Sequence, residues 1–148
     1  MPKTASSDLL AETQDCACLN LRGAARAVTQ MYDQVLKPCC LKGTQFSLLA
    51  AVATEGPASL TTIAEVLVMD RTTLTRNLKP LLSRHLIKSN KGHDKRQRTI
   101  SLTPEGEKIL AKALPLWKKA HERIVSSIGL ARWRGVELLL NEAIRFSR

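Results

Sequence analysis

Asp70-Arg71-Thr72-Thr73-Leu74-Thr75-Arg76-Asn77-Leu78-Lys79-Pro80-Leu81 has the pattern of a capped amphipathic helix. Asp70 can accept hydrogen bonds from the free N–H groups of a first turn. Leu74, Leu78 and Leu81 recur at helical spacing and share one face. Burying them turns Arg71, Thr72, Thr73, Thr75, Arg76, Asn77 and Lys79 outward. Pro80 removes one backbone hydrogen bond and crowds the preceding turn, so a bend or an early end is expected there.

Downstream of this helix the period changes from helical to alternating. Ile87 opens a short strand, Lys91-Gly92-His93-Asp94 reads as a turn, and residues 99–103 alternate with Ile100 and Leu102 on one side. Upstream lie two more helical stretches. One has Thr44 as its expected cap and Phe46, Leu49, Val52 and Ala53 as inner positions, and Gly56-Pro57 ends it. The other carries Ile63, Ala64 and Leu67, with its cap among Ser59, Thr61 and Thr62. Helix, helix, basic helix and hairpin in that order predict a winged helix-turn-helix, mainly α with a small β-hairpin wing.

Long helices flank this unit. Cys18, Leu21, Ala25, Val28, Tyr32 and Val35 form one apolar stripe, which Pro38 stops. After the hairpin, Thr103-Pro104 is a cap followed by a proline at the first helical position. The helix it opens is expected to run to Ile128 with Ile109, Ala113, Leu116, Ala120 and Ile124 inward and a kink at Pro115. Gly129 is a natural stop, and a last helix uses Trp133, Val136, Leu140, Ala143 and Ile144. Residues 1–14 are polar and are expected to be loosely held.

The charge distribution points to a partner. The chain carries +10 over 148 residues. Nine cations (Arg71, Arg76, Lys79, Arg84, Lys88, Lys91, Lys95, Arg96 and Arg98) and one acid, Asp94, lie between residues 71 and 98, so this segment holds eight of the ten surplus charges. A merely solvated surface would spread them; concentration on one helix and one hairpin fits a polyanion. Arginine can pair with guanine, asparagine with adenine, and threonine can meet phosphate or a thymine methyl, so the outer face of the helix suits a major groove. Lys95, Arg96 and Arg98 suit a narrow minor groove, whose negative potential attracts such side chains. Asp94 is misplaced against phosphate, and pairing with a nearby arginine to shape the wing is its expected role. Aromatics are only 3%, too few for the stacking platforms of single-strand binders.

Asp70 to Leu78 resembles the recognition helix of the MarR family. His93-Asp94-Lys95-Arg96-Gln97-Arg98 followed by Ser101-Leu102-Thr103-Pro104-Glu105-Gly106 resembles that family's wing and the strand-to-helix junction behind it. The resemblance spans about residues 15 to 147. It implies one domain over residues 15–148, with residues 41–103 as the DNA-binding part and residues 15–40 and 104–147 as dimerisation helices. It also implies a homodimer on a pseudo-palindromic operator in double-stranded DNA, and a small-molecule effector or oxidant that releases it. The terminal helices carry apolar faces, Trp117 and Trp133 included, wider than one small domain can cover.

The four cysteines leave two readings open. Cys18 lies on the apolar stripe and can be a small buried hydrophobe. It also matches in place the reactive cysteine of the family's organic-hydroperoxide-sensing branch, although Arg22 and Gly43-Thr44-Gln45-Phe46 stand where that branch has tyrosines. Cys16 and Cys18, two apart, do not face each other on a helix. Cys18 and Cys39 are separated by about 32 Å along a straight helix, so they could pair only across a dimer or not at all. Adjacent Cys39 and Cys40 could form only a strained disulfide.

Other classes find little support. His85, His93 and His121 have no partner at catalytic spacing, and no glycine-rich phosphate loop is present, so no enzyme is expected. No zinc spacing occurs, and no cofactor is implied. No apolar run approaches the roughly 18 to 20 residues of a membrane span, and a cytoplasmic location is expected. An architectural protein coating DNA without sequence preference is the alternative; the polar outer face of residues 71–79 favours a sequence reader.

Overall fold

A computed structural model gives the fold and describes residues 9–91 and 98–146. Six helices and three short strands are named here: α1 (Ala17–Val35), α2 (Gly43–Glu55), β1 (Ala58–Ser59), α3 (Leu60–Val66), α4 (Arg71–Ser83), β2 (Ile87–Lys91), β3 (Arg98–Leu102), α5 (Pro104–Ile128) and α6 (Leu130–Phe146). Residues 9–12 are helical and Thr13–Asp15 form a 3-10 turn, all exposed. Among the described residues no helix is long and apolar enough to cross a membrane.

The core gathers beneath the expected faces. Leu48, Leu49, Ile63, Leu74 and Leu81 are completely buried, and Ile100 and Ala113 close over them from the sheet and α5. α2 runs through the middle, packed by α5 and by β3. It is therefore buried over a broad face that includes Leu48 and Ala51, whereas Ala53, expected inside, is exposed. Its cap also differs from expectation. Lys42, not Thr44, is the N-cap: Gly43 N–H donates to Asp33 Oδ1 of α1 (2.6 Å), and Gln45, in the first turn of α2 itself, accepts from Lys42 N–H through Oε1 (3.1 Å). Ser59 caps α3 by accepting from Thr62 N–H.

The hairpin acquires a third strand that was not read from the sequence. β1 pairs with β3, which pairs with β2, all antiparallel, in the order β1-β3-β2. Ser89 lies opposite Ile100 and Ile87 opposite Leu102. Gly92, His93 and Asp94 of the expected turn lie outside the described residues.

Both internal prolines are accommodated. α4 continues past Pro80 to Ser83, and α5 runs through Pro115 to Ile128. Ala113 and Ala120 are buried as expected, joined by Gly106 and Leu110, while Ile109, Leu116 and Ile124 are half-buried. Gly129 stops α5 with φ +89°.

Three helical segments end in a left-handed residue that is not glycine: Cys40 (φ 52°), Val68 (φ 53°) and His85 (φ 53°). Each sits in a paired backbone turn; at Val68, its own N–H donates to Glu65 O and that of Met69 to Ala64 O. A β-branched residue is poorly suited to this conformation. Val68 is half exposed, so its side chain recovers little by packing. Val68→Gly is expected to stabilise the fold by up to about 1 kcal/mol, the left-handed cost less the added chain entropy. Urea denaturation checks this; a lower midpoint would mean that the valine packs usefully.

Candidate nucleic-acid interface

α4 begins on Asp70, whose Oδ1 accepts from Thr73 N–H (2.8 Å) and whose Oδ2 accepts from the Thr73 hydroxyl (2.6 Å). The Thr73 hydroxyl, and then its N–H, hold the Asp70 carboxyl below the usual carboxylate range. A depressed carboxyl contributes stability that is complete above its unfolded pKa and fades as pH falls through its folded value. The slope of stability against pH below the usual aspartate range is therefore expected to shrink in Asp70→Asn, which keeps a cap oxygen without the titration. Urea melts from pH 6 down to about pH 3 read this; equal slopes in both proteins would remove the cap from the acid response.

With Leu74, Leu78 and Leu81 buried, Arg71, Thr72, Thr75, Arg76 and Lys79 stand exposed along the opposite side of α4. Two of the expected outward residues are engaged internally. Thr73 is half-buried at the cap. Asn77 is half-buried too, its amide nitrogen 3.8 Å from Met69 Sδ across the turn between α3 and α4. The Thr75 hydroxyl donates to Arg71 O (2.7 Å), which fixes its rotamer on the exposed side. A helix N-terminus adds the positive end of its dipole to the cations.

The hairpin places Arg98 exposed at the start of β3, opposite Lys91 in register, with Lys88 exposed further along β2. Asp94, Lys95 and Arg96 lie outside the described residues. Arg84 departs from the simple picture of a cationic surface: it is half-buried and donates through Nη1 to Cys40 O (2.7 Å).

The strand-to-helix junction is a dock for the end of α4. Thr103 donates its N–H to Leu86 O (3.1 Å) and its hydroxyl to His85 O (2.6 Å), and accepts from Gly106 N–H (3.1 Å) as the cap of α5. Gly106 packs directly on the Leu86 carbonyl; a Cβ there would run into that oxygen. The end of α4, the hairpin and the start of α5 are thus joined through a few backbone atoms.

The ends of the chain look different from its centre. Cys18, on the apolar stripe, is exposed in the single chain, and so are Leu19, Leu21 and Val28 beside it. Within one chain the stripe meets the core only at its C-terminal end, where Tyr32 packs. Burial there pushes the Tyr32 hydroxyl pKa up. Cys16 precedes α1 in an extended conformation, so the helical argument for keeping it apart from Cys18 does not apply. Cys39 is buried and Cys40 exposed; all four are free thiols. α6 has no buried residue and exposes Leu130, Leu138, Leu139, Leu140 and Phe146. Trp117 stacks between Phe46 (5.9 Å) and His121 (5.2 Å), and His121 meets the edge of Trp133 (6.1 Å). A recess of about 250 Å³ between α1, α2 and α5 is lined by Val28, Tyr32, Thr44, Phe46 and Trp117.

Three packed helices with a basic, capped third member and a β-hairpin behind it define a winged helix-turn-helix. The model of the MarR family matches residues 41–97. Over 85 residues, 57% of this chain, the sequence is 32% identical to YwoH, an uncharacterised HTH-type transcriptional regulator of Bacillus subtilis, and 31% identical to the transcriptional regulator HosA of Escherichia coli O157:H7. Those matches span 62% and 63% of the two relatives. The M. tuberculosis transcriptional regulator MosR, solved in complex with DNA, is 36% identical with a TM-score of 0.80, covering 90% of this chain and 98% of that one. A mutant of Escherichia coli MarR complexed with operator DNA shares the fold, at 20% identity and a TM-score of 0.78 over 88% of this chain and 96% of that one. The chain belongs to the MarR family of transcriptional regulators.

Proposed function

We propose that this chain is a sequence-specific regulator of transcription that reads a pseudo-palindromic operator in double-stranded DNA as a homodimer. The observation that carries the reading is the outer face of α4, where Arg71, Thr72, Thr75, Arg76 and Lys79 stand exposed in the segment that holds most of the surplus charge. Arg98 of β3, with Lys95 and Arg96 of the wing, is assigned to the flanking minor groove and Asp94 to shaping the tip. Thr73 and Asn77, half-buried on the flanks of α4 and engaged by Asp70 and Met69, are assigned a lesser part in DNA binding than the exposed row. The structure of MosR in complex with DNA supports DNA binding by likeness. Exposed apolar faces on α1 and α6 support the dimer, since contiguous apolar surface of this kind is ordinarily covered.

Repression relieved by a small molecule or an oxidant is the regulatory reading. The recess among Val28, Tyr32, Phe46 and Trp117 lies between the dimerisation helix and the reading domain, where an occupant would alter the spacing of the two lobes. Cys18, exposed near the start of α1, is accessible to a peroxide or electrophile in the single chain.

The test is fluorescence anisotropy on duplexes tiling the gene's own upstream region, with nonspecific competitor, before and after peroxide. Selective binding by the reduced protein is the expected result. Equal affinity for all tiles would replace this reading with an architectural one. Selective binding that ignores peroxide would remove Cys18 from the mechanism and leave the recess as the control point.

A further inference from the structure

The elbow between α1 and the reading domain is held from three sides. Leu36, Cys39 and Leu41 are buried in the core. Asp33, near the end of α1, accepts from the first N–H of α2 at Gly43. The turn itself closes through Cys40 N–H to Lys37 O (2.9 Å) and Leu41 N–H to Leu36 O (3.4 Å), which leaves Cys40 left-handed with its carbonyl free of the helical ladder. That carbonyl is where Arg84 binds.

Arg84 is the C-cap residue of the reading helix, and its guanidinium reaches 44 positions back along the chain to donate to Cys40 O at 2.7 Å. A hydrogen bond from a charged donor is stronger and more directional than a neutral one. Arg84 stands at the C-terminal end of α4, where a cation is favoured by the helix dipole, and its bond to Cys40 O is open to solvent. Counting charges places Arg84 with the DNA-facing cations; its hydrogen bond and half-burial place it on the elbow.

We infer that Arg84 is a positioning residue, clamping the end of the reading helix to the elbow and thereby setting how far apart the two reading helices of the dimer stand. This rests on the proposed homodimeric reading of DNA. In such a dimer the symmetry axis lies among the terminal helices, and α4 connects to α1 through this elbow. A shift of α4 by a fraction of the roughly 3.4 Å between successive base pairs changes the half-site spacing that fits. Removing the clamp loosens that angle within the limits set by the buried leucines and the junction with α5, while leaving every outward side chain of α4 in place.

The experiment uses the full-length protein and the operator that the tiling identifies, together with versions whose centre is shortened or lengthened by one base pair. The wild type is expected to prefer the natural spacing. In Arg84→Met that preference is expected to fall by about tenfold, the scale of one hydrogen bond to a charged group. The dependence of affinity on salt is expected to stay at the wild-type slope. Arg84→Lys, which keeps a cationic donor, restores part of the preference. Cys40→Gly keeps the left-handed turn and the carbonyl, so it retains the preference. This second variant, with Arg84→Lys, guards against misreading a folding defect. A salt slope flattened by about one unit with the spacing preference intact would make Arg84 a phosphate contact and overturn the clamp. Lower thermal stability with an unchanged preference would overturn it as well, reducing the bond to packing. If the wild type binds DNA selectively and Arg84→Met matches it at every spacing, only the clamp fails. If the wild type binds all duplexes alike, the DNA reading has failed first and the clamp falls with it.

Discussion

Arg76→Ala is expected to abolish discrimination at one position in each half-site, lowering the preference for the correct base by about tenfold to a hundredfold, equivalent to 1–3 kcal/mol. Arg76 stands exposed between Leu74 and Leu78, the two leucines that fix the rotation of α4 against the core. Its direction is therefore set by burial elsewhere on the helix. A guanidinium presented in this way can make two parallel hydrogen bonds to the O6 and N7 of guanine, which no other base pair offers in the same pattern. Lys79 lies nearly one turn further along, at the end of the exposed row, and carries a point charge without a fixed fork. Lys79→Ala is expected to weaken binding to all sequences similarly and to flatten the salt slope by about one unit. Competition titrations with operators substituted one base pair at a time separate the two. The same loss for both variants, uniform across sequences, would show that α4 contacts only the backbone.

Much of this interface is legible in the sequence alone. The Asp70 cap, the buried leucines, the Ser59 region and the Thr103-Pro104 start of α5 follow from local rules about free N–H groups and apolar period. Most of the departures come from contacts between separate elements, and the rest from elements too short or too locally variable to show a pattern. Thr44 is the better cap by propensity, yet Asp33 and Gln45 satisfy the N–H groups of Gly43 and Lys42, so the helix starts two residues earlier. Asn77 lies on the flank of the helix, and only the turn at Met69 decides that its amide faces inward. Arg84 is one more cation in a charge count until the elbow is brought beside it. β1 is two residues long, too short to show alternation. Cys18 sits on an apolar stripe that the single chain leaves uncovered, so its periodicity is legible in the sequence while its exposure depends on what covers the stripe.

Gly106→Ala is expected to destabilise the protein by about 3 kcal/mol, the upper range for forcing an extra carbon into a packed core. Helix propensity argues the other way. Gly106 is the third residue of α5, and alanine in a helix is favoured over glycine by about 1 kcal/mol. The surroundings decide the sign. A Cβ at this position would run into the Leu86 carbonyl oxygen, a backbone atom that cannot rotate away as a side chain would. That oxygen already accepts from Thr103 N–H, and Thr103 in turn holds His85 O and caps α5. Relief of the collision therefore has to move the end of α4, the start of β2 and the first turn of α5 together. A loss of about 3 kcal/mol lowers the melting temperature by roughly 6–12 °C in a chain of this size. Calorimetry at matched protomer concentration reads it, because dimerisation makes the melting temperature depend on concentration. DNA affinity is expected to fall more than stability alone explains, since the displaced atoms carry the C-terminal end of the reading helix. A variant that melts at or above the wild-type temperature would mean that helix propensity outweighs the contact, and that the junction between wing and α5 yields under little strain.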